Sequence, residues 1–142
     1  MKRNLFQFSI IALLLVFAGC RGNQQSKLIG VWENIPFTEP TEVKKYWQFY
    51  AGDLLEIYQV DESAAIPDTI LKNKYQYEIS ASVFNVFPPD GEDNSTYGTA
   101  AGDPRGEYIV DELNDEYFKI TKQKHPDGST GAAYLRIEMV KR

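Results

Sequence analysis

VKKYWQFYAGDLLEIYQV, Val43 to Val60, holds two runs rich in aromatic and β-branched residues separated by Ala51-Gly52-Asp53. Glycine adopts positive φ without steric cost, so this break predicts a hairpin with strands over 43–50 and 54–60. The same rhythm recurs on both sides. LIGVWEN (28–34) reads as a strand, and KYQYEIS (74–80) and SVFNVF (82–87) are joined almost directly around Ala81. EYIVDEL (107–113) and EYFKITK (116–122) flank Asn114-Asp115, residues that tolerate left-handed turns, and AAYLRIEMV (132–140) comes last. Period-two alternation is clearest in Tyr75/Tyr77/Ile79 and Leu135/Ile137/Met139. No stretch after the N-terminal segment has the spacing of an amphipathic helix of useful length.

The connections between these eight strands set the topology. Joins after the second, fourth and sixth are tight, whereas those after the first, third, fifth and seventh, about 34–42, 61–72, 88–105 and 124–132, are long. In an up-and-down sheet alternate joins share an end, so the long loops gather opposite the tight turns. The expectation is an all-β fold, an eight-stranded up-and-down antiparallel barrel, closed because closure removes exposed edges. Such a barrel is filled by side chains or holds one small ligand.

The N-terminus reads as an export signal. Lys2 and Arg3 precede an apolar run, Leu5 to Ala18, which is too short for a membrane span of about 17–25 residues. It ends in Phe17-Ala18-Gly19-Cys20, which holds the chain's only cysteine and resembles the bacterial lipobox. That resemblance implies a signal peptide at 1–19 and acylation, by palmitate among other chains, of Cys20. A lipidated Cys20 with a flexible tether through 26 and one domain over 27–142 are then expected. Several acyl chains would hold the protein at a membrane essentially permanently. With the thiol consumed, the domain must be stable on packing alone. The residues after Cys20 lack the acidic cluster that accompanies surface export in Bacteroidetes-type bacteria, so the expected address is the outer membrane, facing the periplasm.

Leu28-Ile29-Gly30-Val31-Trp32 resembles the Gly-x-Trp signature of the lipocalins, and more closely the small lipocalin-like lipoproteins of Bacteroidetes-type bacteria. YWQFYAGDLLEIY and YIVDELNDEYFKI share that texture. The resemblance implies that Gly30 and Trp32 mark the closed end and that a basic residue late in the last strand packs across the indole. Arg142 is the expected partner and Arg136 the runner-up, although the Leu135/Ile137/Met139 alternation puts both arginines on the opposite face.

Charge bounds the function. The chain carries −5, and loss of residues 1–19 removes Lys2 and Arg3 but no acid, leaving −7. Nucleic acid is an unsuitable partner, because phosphate binding needs clustered Lys and Arg. The four long joins hold ten acids, Glu39, Glu42, Asp61, Glu62, Asp68, Asp90, Glu92, Asp93, Asp103 and Asp127, against Lys72, Arg105 and Lys124. An acidic rim keeps a protein soluble; it would also favour neutral or cationic ligands. Segment 88–105 is expected to be a mobile lid. Asp90 to Ser95 misses the spacing of a calcium loop, and Asp68-Thr69-Ile70 fits a short O-glycosylation pattern of exported proteins in that bacterial group.

Aromatic residues favour strands in any case; if the inward subset leaves a gap, Trp47, Phe49, Tyr75 and Tyr77 are the candidate ligand-binding residues. No catalytic residue, metal site or cofactor is expected, since His125 is the sole histidine and Cys20 is acylated. Two readings stay open for this non-enzymatic, monomeric domain. One is a cup that binds or carries a small, mainly apolar molecule in the cell envelope. The other is a filled barrel that meets an envelope partner through its acidic loops.

Overall fold

Each β-forming run becomes a strand, and the strands close on themselves. The computed structural model describes residues 23–37, 42–63, 65–89, 103–125, 127–130 and 135–142. Its strands are β1 (Gly30–Ile35), β2 (Val43–Tyr50), β3 (Leu54–Asp61), β4 (Asp68–Ser80), β5 (Val83–Phe87), β6 (Gly106–Leu113), β7 (Tyr117–Lys124) and β8 (Arg136–Lys141). They pair antiparallel in chain order, and β8 pairs back onto β1, giving a closed eight-stranded barrel. Trp32 lies opposite Trp47 on β2 and opposite Lys141 on β8.

Many strand ends shift by one or two residues from the sequence reading, β8 begins at Arg136 where 132 was expected, and two further boundaries change the connections. β4 begins at Asp68, so the join expected over 61–72 shrinks to 62–67 and Asp68-Thr69-Ile70 lies in a strand. An irregularity at Gln59/Val60 breaks the register there and hides the alternation that would have marked this pairing. The expected flexible tether is also shorter, because 23–28 is helical. Gln24 Nε2 donates to Ala81 O and Gln25 Nε2 to Asp53 Oδ1, both at 2.6 Å, fastening that helix to two turns of the barrel. Residues 1–22, with Cys20 and the signal segment, and 90–102, most of the expected lid, lie outside the described residues.

The helix seals the end where the tight turns sit. The last carbonyls of a helix lack partners within it, and two of them are met by barrel side chains. Trp32 Nε1 donates to Leu28 O at 2.7 Å, and Lys141 Nζ donates to Lys27 O at 2.8 Å while lying 5.1 Å from the Trp32 ring. The basic residue over the indole is therefore Lys141. Arg142 instead reaches Glu33 on the outer surface, and Arg136 pairs with Glu138, both as the alternation requires. Gly30 makes the arrangement possible: its φ is +130°, and a Cβ there would meet Lys141 Cε at 3.0 Å.

Above this seal the barrel centre is packed. Phe49 meets Tyr77 edge-on at 5.1 Å, and Phe84 meets Phe118 at 5.4 Å. Phe49 also touches Phe84 and Phe118, and Trp32 touches Phe118, with ring centroids about 6 Å apart as edge-to-face pairs prefer. Ala81, at φ 53°, holds the tight β4–β5 turn in a left-handed conformation that costs an alanine about 1 kcal/mol.

Two substitutions are expected to move stability in opposite directions in chemical denaturation. Gly30→Ala forces a side chain into a positive-φ site crowded by Lys141 and lowers stability by about 1–3 kcal/mol. Ala81→Gly relieves the turn and raises stability by about 0.5–1 kcal/mol.

Candidate functional site

The open end is built by strands whose inward residues change from aromatic to charged. On β2 the inward series runs Phe49, Trp47, Lys45, with Phe49 and Trp47 buried and Lys45 half-buried near the rim. On β7 it runs Phe118, Ile120, Lys122, all buried. Asp103-Pro104-Arg105, just before β6, lies at this end with Pro104 and Arg105 buried. Tyr108 donates its hydroxyl to Pro104 O, and Lys122 Nζ donates to Asp103 O at 2.7 Å. The last part of the expected lid is thus pinned in place.

Between this segment, β1, β2 and β8 lies a pocket of about 240 Å³. Its described walls are Asn34, Ile35, Pro36, Phe37, Lys45, Trp47, Asp103, Pro104, Leu135, Arg136 and Ile137. An enclosed apolar cavity of about 150 Å³ already takes up benzene. The site has room for a compact organic molecule but not for a long chain, because Phe49, Phe84 and Phe118 occupy the barrel axis below it.

Of the four aromatic candidates, Trp47 lines this pocket. Phe49 and Tyr77 belong to the packed centre, with the Tyr77 hydroxyl turned to Tyr50 O at 3.3 Å. Tyr75 is buried on β4 and is not among the described residues of the pocket wall. Gly30, Trp32 and Lys141 sit at the sealed end. Among the described residues the Trp47 indole N–H is buried without an acceptor, an arrangement that ordinarily costs about 1–3 kcal/mol.

Charge in the pocket differs from charge on the loops. Asp103 is the one carboxylate in its described walls, and it is taken up by Arg105: Arg105 N and Nε donate to Oδ1 at 2.9 and 3.0 Å, and Nη2 pairs with Oδ2. Arg105 is 1% exposed. Lys45 and Lys122 both have their ammonium groups held below the usual lysine range, in each case first by burial; Asp103 opposes the shift, while Arg105 and Lys45 add repulsion at Lys122. Burial pushes the Tyr108 hydroxyl well up. Several rim acids are occupied on the outside: Glu62 pairs with Lys44 at 2.8 Å, and Asp127 accepts from Ser129.

Comparisons with protein-family models, with curated proteins and with solved structures return no match. The site therefore rests on its own geometry. Lys45, Lys122 and Lys141 are residues the sequence reading did not single out, and Asp103 it named only as one of ten rim acids. The three lysines were within reach of it, since Lys45 is two residues from Trp47, Lys122 two from Ile120 and Lys141 two from Met139, each on the inward face of its strand.

Lys45→Met is expected to raise the stability of the protein at neutral pH by about 1 kcal/mol, because it removes a charge that burial disfavours. A lysine with a depressed folded pKa binds fewer protons folded than unfolded, so its penalty fades as pH rises from that depressed value toward 10.5. Melting curves between pH 7 and 10 should accordingly show a smaller alkaline gain for the variant than for the native chain.

Proposed function

We propose that the chain is a lipocalin-like lipoprotein, anchored through Cys20 in the bacterial cell envelope, that binds or carries a small, mainly apolar molecule. The observation carrying this reading is the pocket at the loop end of a closed barrel, walled by Ile35, Pro36, Phe37, Trp47 and Ile137 with a few polar groups among them. Apolar walls with a small number of placed polar groups are the usual makeup of a small-molecule site. The domain is a binding module without catalysis of its own.

Anchoring suits the geometry. Only residues 21 and 22 separate Cys20 from the helix at 23–28, and a chain spans at most about 3.6 Å per residue. An acylated Cys20 would hold the sealed end within roughly 10 Å of the bilayer, leaving the pocket directed to the aqueous side. The outer membrane, facing the periplasm, is the proposed address.

A filled barrel acting through its loops is the second reading, and the packed aromatic centre favours it. Native mass spectrometry of the full-length chain, extracted from a bacterial envelope in detergent, separates the two. A stoichiometric small molecule is expected on the native protein and absent from Leu135→Trp, which places an indole in the pocket from a residue 41% exposed. A ligand-free mass for both would favour the filled barrel. Cys20→Ser is expected to abolish palmitate labelling and to release the protein from the membrane fraction.

A further inference from the structure

Resting on that ligand-binding reading, we infer that the pocket recognises a small organic anion: a compact apolar body ending in a carboxylate or phosphate, held by Lys45 Nζ and the Trp47 indole N–H.

Two unmet donors on one strand carry the inference. Lys45 and Trp47 are two residues apart on β2, so their side chains leave the same face, and both line the pocket. Trp47 is completely buried and its N–H has no acceptor among the described residues. Among the described residues Lys45 has no hydrogen bond and no carboxylate within ion-pair distance, and only the longer-range attraction of Asp103 acts on its charge. Lys44, next along the chain but facing outward, pairs with both Glu33 and Glu62. Among the described residues the inward lysine is thus unpaired at a place where the outward one is paired twice.

The surrounding charge favours an anion. Asp103 is the only acid in the described wall, and its two oxygens are engaged by Arg105. Lys122 lies within electrostatic reach of both Lys45 and Arg105, and Asp103 also acts on it. Arg136 in the wall is balanced by Glu138. With Asp103 and Arg105 paired to each other, Lys45 and Lys122 leave these four groups beside the pocket with a surplus of +2. A cationic ligand would add a like charge to them; an anion would relieve them. Buried charges normally have partners, and a bound anion would be the partner Lys45 lacks.

Size follows from the packing below. The pocket holds about 240 Å³ and the Phe49–Phe84–Phe118 cluster closes the barrel axis beneath it. The apolar part must therefore be a ring or a short chain.

The chain has only two tryptophans, and the Trp32 N–H is committed to Leu28 O, so the Trp47 indole resonance serves as the reporter. The full-length protein in detergent, ¹⁵N-labelled, is titrated with phenylacetate, hexanoate and phenyl phosphate, and in parallel with phenylacetamide, hexanamide and 2-phenylethylammonium. The anions are expected to shift the Trp47 signal and to bind about tenfold or more tightly than their amides, with the cation weakest. Whether phenyl phosphate or the carboxylates bind more tightly assigns the head group. In Lys45→Met the acid-over-amide preference is expected to fall to about one while the amides still bind; Trp47→Phe, read by Lys45 and backbone shifts, should weaken the anions with the fold intact. Amides that bind as well as their acids to the native protein would overturn the head-group inference and leave the carrier reading standing. Failure of every compound of either series to shift the pocket residues would overturn both.

Discussion

Trp32 faces Lys141 across the seam between β1 and β8, and closing this seam removes the last two free edges of an eight-strand meander. The pair also terminates the helix at 23–28, since indole and ammonium each supply a hydrogen to a carbonyl that the helix leaves unmatched. Sheet closure, sealing of the base and docking of the N-terminal segment thus share one set of contacts. Gly30 belongs to the same set, because any side chain at its Cα would press on Lys141. The spacing Gly-x-Trp is explained by this contact: one residue admits the lysine stem and the other supplies the ring beneath its head.

With the base fixed, the interior divides by chemistry along the barrel axis. Aromatic rings fill the centre, each in edge contact with the next, and no ligand of any length can pass through them. Only beyond Trp47 do the inward positions become basic. Burial at such positions disfavours charge, and it holds the ammonium groups of Lys45 and Lys122 below the usual lysine range. A sequence selected for packing alone would place apolar residues there, as it does at Ile57 on β3 and Ile137 on β8. Residues that cost stability in a site of this shape are commonly kept for what they bind.

Most of the fold could be read along the chain because period-two alternation and turn chemistry are local signals. The hairpin over 43–60 is reproduced strand for strand, apart from one residue at the end of β3. β4 was underestimated where the unpaired Ile70, opposite Gln59/Val60, interrupts its alternation, and the helix at 23–28 was unreadable because its stabilisation comes from turns near residues 53 and 81 rather than from its own six residues. For the site, the aromatic content pointed to Trp47 but could not separate it from Phe49, Tyr75 and Tyr77, since depth along the axis depends on register between strands. The expectation of a basic residue over Trp32 met the right position one residue away. The inward alternation of Ile137 and Met139 already pointed to Lys141, and the resemblance to lipocalins drew attention to the arginine instead.

Counting charge by loop and counting it by direction lead to different ligands. Ten acids in the long joins suggest a mouth that repels anions, yet among the described residues several of these acids are held on the outer surface by lysines and serines, while Lys45 and Lys122 face inward. At physiological ionic strength charges separated by more than about 8 Å of solvent are largely screened, whereas groups within a desolvated pocket are screened much less. An approaching molecule would meet the acidic exterior only weakly and the basic groups inside the mouth with much less screening. The chain's net charge of −5 and the local surplus of positive charge beside the pocket are therefore compatible, because the first governs solubility and the second acts only at short range.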